Sequence, residues 1–89
     1  MIEQYVIEQL VNQVRDYAQK SANEVARGVE TPQLAARLLQ KYGRGIADTV
    51  SIICDNRRAA DPIYEVLDKE TGQIDPNWRR RYQEQDPTS

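Results

Sequence analysis

The densest chemical feature of the sequence is Trp78-Arg79-Arg80-Arg81-Tyr82, three consecutive arginines between two amphipathic rings. Aromatic and guanidinium groups in this mixture anchor protein interfaces, and the same mixture holds a nucleic-acid strand by stacking and charge. On a helix, the four-residue spacing puts Trp78 and Tyr82 on one side, while three arginines at about 100° per residue spread around the remainder. Trp78, Arg79, Arg80, Arg81 and Tyr82 therefore form the expected partner-binding element. The internal use of the same residues is docking, with the rings closing the last helix onto the core and the arginines pairing with the chain's own carboxylates.

A second basic group, Arg37, Lys41 and Arg44, has spacings of four and three that put it on one helix face, suited to run along a phosphate backbone. Arg57 and Arg58 extend this nucleic-acid alternative. Pro32 to Arg58 has the lengths and the glycine turn of a helix-turn-helix. Its second helix, however, presents Asp48, Thr49, Ser51 and Asp55 as its polar side, and two carboxylates there repel phosphate.

Catalytic chemistry finds little support. The chain contains no histidine, which removes Ser/His/Asp and Cys/His arrangements and most zinc sites. The acid pairs Asp48/Asp55 and Glu65/Asp68 are compatible with a magnesium ion or general acid/base work, but their spacing is that of an ordinary solvated helix face. The only cysteine, Cys54, lies in the apolar run from Val50 and reads as a buried, unreactive core residue. No catalytic residue, cofactor or metal is expected.

These groups need elements to position them, and apolar spacing supplies the elements. Ile7, Val11, Val14, Ala18, Ala22, Val25 and Val29 recur at three and four residues, predicting a helix from Ile2 to about Ala26. A second stripe, Leu10, Val14, Tyr17 and Ser21, widens its apolar face beyond what one neighbour covers. Either the helix breaks near Ser21-Ala22-Asn23 or a second copy covers the surplus. The second alternative is a homodimer in which residues 2–29 supply most of the contact.

Gly28 stands where a helix C′ residue belongs, and Thr31-Pro32 opens the next helix with a hydroxyl cap and a proline at its first position. That helix is expected over Pro32 to Tyr42, with Leu34, Ala35, Leu38, Leu39 and Tyr42 inward and Gly43 and Gly45 as its stop. A third follows from Arg44 or Ile46 to Arg58, with Ile46, Ala47, Val50, Ile53 and Cys54 inward. For residues 62–74 two patterns compete: a helix opened by Asp61-Pro62, and a hairpin or extended arm in which Ile63 to Leu67 alternates and Asp68 to Gly72 turns. The turn residues Asp68 to Gly72 favour the hairpin somewhat, and the two alternatives stand about even. Asp75-Pro76 then opens a short helix bearing Trp78, and residues 86–89 are expected to fray. The five tyrosines, one to a segment, suit the rim of a core or interface.

Bulk composition sets the remaining bounds. With 89 residues, 39% hydrophobic and 29% charged, and a net charge of -2, the chain fits one soluble helical domain, residues 1–85, of limited stability. Charge is uneven: five acids and three bases in residues 1–30 leave -2, two acids and five bases in 31–60 leave +3, and seven acids and four bases in 61–89 leave -3. Glu3, Gln4, Glu8 and Gln9 interrupt the place of a signal-peptide apolar region, so a cytoplasmic protein with no membrane span is expected. The fold class implied is all-α, a bundle of three to four helices, dimeric, with a possible C-terminal hairpin or arm. The function implied is a non-enzymatic adaptor that binds other proteins, with nucleic-acid binding as the alternative.

Overall fold

The computed structural model describes residues 3–80. They fold into three α-helices, α1 (Gln4–Ala26), α2 (Pro32–Cys54) and α3 (Asp61–Ile74), with a short 3-10 turn, Arg57–Ala60, between α2 and α3. Each α-helix packs on the other two.

α1 runs unbroken through Ser21-Ala22-Asn23. Both of its apolar stripes are used within the chain: Ile7, Val14 and Ala18 are buried, and Leu10, Val11 and Tyr17 pack half-buried against the same core. α2 and α3 are the two neighbours that the wide face requires. The helix ends as its sequence predicts. Gly28 adopts φ +76, the Val29 amide donates to the Glu24 carbonyl and the Gly28 amide to that of Val25, each at 3.0 Å. This is a Schellman closure. Val29, expected inward, lies in the connection and is exposed.

α2 starts as expected, with the Thr31 hydroxyl accepting from the Leu34 amide at 3.2 Å and Pro32 in the first turn. It does not stop at Gly43 and Gly45. The two helices expected over Pro32 to Tyr42 and Ile46 to Arg58 are one helix of 23 residues, because Gly43 is a point of close approach. A Cβ on it would lie 2.4 Å from Leu67 Cδ1 and 2.9 Å from Leu67 Cγ. Burial of Leu67 from α3 at this point offsets the roughly 1 kcal/mol that glycine costs inside a helix. The true end is at Asp55, which takes the left-handed conformation (φ 50) usually given to glycine, with the Asn56 amide donating to the Ser51 carbonyl at 3.1 Å.

Of the two patterns that compete over residues 62–74, the helix opened by Asp61-Pro62 is the one formed, as α3. Ile63, Val66, Leu67 and Thr71 are buried at helical spacing, and Ile74 extends the row half-buried. The alternation of Ile63, Glu65 and Leu67 is incidental to that three-and-four pattern, and no strand occurs among the described residues. The 3-10 turn reverses the chain, held by Asn56 Oδ1 accepting from the Arg58 amide at 3.0 Å, with Ala60 fully buried. Cys54, expected buried, is half-buried at the end of α2. No helix among the described residues is long and apolar enough to cross a membrane.

A buried polar network ties α2 to α3. Gln40, wholly buried, donates through Nε2 to Thr71 Oγ1 at 2.9 Å and to Asp68 Oδ1 at 3.3 Å. Its Oε1 accepts from Arg44 Nε at 3.0 Å, and the Thr71 hydroxyl donates onward to the Leu67 carbonyl at 2.6 Å. Removing one member leaves buried polar atoms without partners. Thr71→Val keeps the side-chain shape and is expected to cost about 1–3 kcal/mol, read as a shift in urea midpoint. An unchanged midpoint contradicts the network's role.

Candidate functional site

α2 carries its core on one side and an apolar row on the other. Ala35, Leu39, Gly43, Ala47 and Val50 face inward. At 100° per residue, Leu34, Leu38, Gly45, Thr49 and Ile52 fall on the opposite side within an arc of about 60°, and Ile53 lies just beyond it. Leu34 and Leu38 are more than a third exposed, Ile53 is 63% exposed and Ile52 is 78% exposed. The expectation that Leu34, Leu38 and Ile53 face the core is thus corrected. A 23-residue helix with β-branched and leucine residues around most of its circumference buries one side in this three-helix packing and leaves the other outward. Beside this row, an apolar recess of about 490 Å³ is lined by Leu10 of α1 and by Tyr42, Gly45, Ile46, Thr49 and Ile53 of α2.

The recess has a stiff wall. Tyr17 of α1 and Tyr42 of α2 stack with ring centroids 4.2 Å apart and planes 11° from parallel, and Tyr42 donates to Gln13 Oε1 at 3.2 Å. On the opposite flank, toward α3, Tyr64 donates its phenol proton to Asp48 Oδ1 at 2.5 Å. That hydrogen bond to the carboxylate, followed by burial, raises the Tyr64 pKa above its ordinary 10.0. The bond requires protonated Tyr64, so its contribution to stability is present below pH 10 and is lost as pH rises through the elevated folded value. Alkaline titration of tyrosine absorbance should show a late-titrating group that Tyr64→Phe removes; its absence contradicts the bond.

The terminal element expected to bind a partner divides. Trp78 is only 8% exposed, and its indole Nε1 lies 3.7 Å from the position of a Cβ on Gly72. Its backbone amide donates to the Asp75 carbonyl at 3.1 Å, and the Asp75 carboxylate accepts from the Asn77 amide at 3.1 Å. The Trp78 ring is thus built into the end of the bundle, as in the docking alternative. Arg79 lies with its guanidinium carbon 5.3 Å from the Trp78 ring and pairs with Asp68 at 3.2 Å. Arg80 is exposed. Arg81, Tyr82 and the tail at 86–89 fall outside the described residues.

The basic residues of the nucleic-acid alternative are not gathered into one patch. Arg37 and Lys41 lie exposed on the first half of α2, and Arg44 is drawn to Gln40. Arg57 and Arg58 lie in the 3-10 turn beyond the far end of the helix. Asp48 and Asp55 stand between the two groups. Among the described residues, no three His, Cys, Asp or Glu side chains cluster as metal ligands would.

What sequence reading missed is the outward row of α2. The signal was present in the excess of apolar residues around the helix, seven of them from Leu34 to Ile53 lying off the inward face or at its edge, but a break at Gly43 disguised it. Comparison of the chain with protein-family models, with curated proteins and with solved structures finds no match.

Proposed function

We propose that this chain is a non-enzymatic, cytoplasmic protein-interaction module that binds through the outward face of α2. The observation that carries this reading is the exposed row Leu34, Leu38, Ile52 and Ile53 beside an apolar recess. Four large apolar side chains exposed on one side of a helix, with an apolar recess beside them, exceed the singly scattered residues normal for a surface.

Nucleic-acid binding draws on Arg37 and Lys41, but Asp48 shares their edge of α2 and Asp55 follows at its end, and both oppose a phosphate backbone. Salt separates the two readings. A contact made of phosphates loses affinity steeply between about 50 and 200 mM salt, whereas an apolar protein contact does not. Affinity capture with the purified chain across that range is expected to retain protein partners. Recovery of nucleic acid alone, lost with salt, contradicts the proposal.

A further inference from the structure

We infer that the occupant of the α2 face is a second copy of this chain, packed antiparallel with the two-fold axis at Gly45. The inference rests on the reading of α2 as a binding face and names its partner. Self-complementary charge is the main argument. On one edge of the apolar row, Arg37 and Lys41 precede Gly45 while Asp48 follows it. Along the helix, Lys41 is about 6 Å before Gly45 and Asp48 about 4.5 Å after it.

A two-fold axis perpendicular to α2 reverses the second helix but keeps this edge on the same side. Lys41 then faces the partner's Asp48, whose Oδ1 also accepts from Tyr64 of its own chain. A two-fold axis along α2 would instead carry the partner's charged edge to the opposite side and leave these charges unpaired. Interfaces use this kind of complementarity to select partner and register.

The dimensions agree. The molecule measures 41 × 32 × 15 Å along its principal axes, and α1 and α3 cover the inward side of α2 while its outward side has no helix on it. Stable domains bury apolar faces between packed layers, and a second copy supplies the missing layer. α2 is roughly 34 Å long. With the adjoining flank of α1, a strip of that length is comparable to the roughly 800 Å² that each partner gives to a standard interface. At its centre, a Cβ on Gly45 would meet nothing within 4 Å, which leaves that position open to the facing helix.

Light scattering at micromolar concentration tests the inference. Wild type is expected at twice its 10.3 kDa. Gly45→Glu has space in the single chain, so it should keep the helical circular dichroism while placing two carboxylates at the axis and returning the mass to a monomer's. Lys41→Glu should raise the dimer dissociation constant about tenfold, and Lys41→Glu with Asp48→Lys should recover most of that loss. A monomeric wild type overturns the second copy, even where other proteins still bind α2. A dimer that survives Gly45→Glu or is indifferent to Lys41→Glu overturns the antiparallel arrangement.

Discussion

Gly43→Ala lowers the stability of the protein by about 1–3 kcal/mol, the usual cost of overpacking a core, against a helix-propensity gain of roughly 1 kcal/mol. The new methyl would stand 2.4, 2.7 and 2.9 Å from Leu67 Cδ1, Cδ2 and Cγ. The contact includes the branch point, so turning the far end of the side chain does not relieve it. Leu67 is itself fully buried, which leaves α2 and α3 to move apart. Gly43→Val adds two more methyls and is expected at or beyond the upper end of that range, a large share of the total for so small a chain.

A double-mutant cycle isolates the cause. Leu67→Ala alone should cost about 2–5 kcal/mol. In that background Gly43→Ala should be neutral or stabilising by up to about 1 kcal/mol. Urea denaturation reads all four corners. Equal effects of Gly43→Ala in both backgrounds would show that Leu67 is not what the methyl meets.

Trp78→Ala is expected to cost about 3–5 kcal/mol, as for other large aromatic side chains removed from a packed position. The ring lies at the α3 terminus beside Gly72, and the turn at Asp75 holds it there. Arg79→Ala, by contrast, should change stability by about 1 kcal/mol or less, because its pair with Asp68 is exposed. The difference separates docking from recognition. If Trp78→Ala melts with wild type and loses its partners, Trp78 is a binding anchor and the structural role assigned to it is wrong.

The ends of α1 and the start of α2 were legible in the sequence because Gly28, Thr31 and Pro32 act through local backbone chemistry. The middle of α2 was not. A glycine that ends a helix and a glycine that lets another helix approach are the same letter, and only Leu67, 24 positions away, distinguishes them at Gly43. Asp55 shows the converse, a left-handed helix end formed without glycine. In α3, the alternation of Ile63, Glu65 and Leu67 concealed a helical row whose meaning depends on the core it joins. Gln40 carried no signal in the sequence, because its partners Thr71 and Asp68 come from another helix. Trp78 stood out by its arginine neighbours as a binding anchor, yet its neighbour in space, Gly72, gave no sign of a ring against it. The α2 face was the least legible part, because exposure is a property of the packed helices and not of any spacing along one of them.

The most direct measurement compares wild type with the double variant Leu38→Asp/Ile52→Asp, which changes two outward residues of α2 and leaves the buried face intact. Both proteins are first matched for circular dichroism, then used for affinity capture at equal concentration. The double variant should keep its helicity while losing the partners that wild type retrieves through this face, its own second copy included. Retention of every partner by a folded double variant would contradict the assignment of α2 as the binding surface.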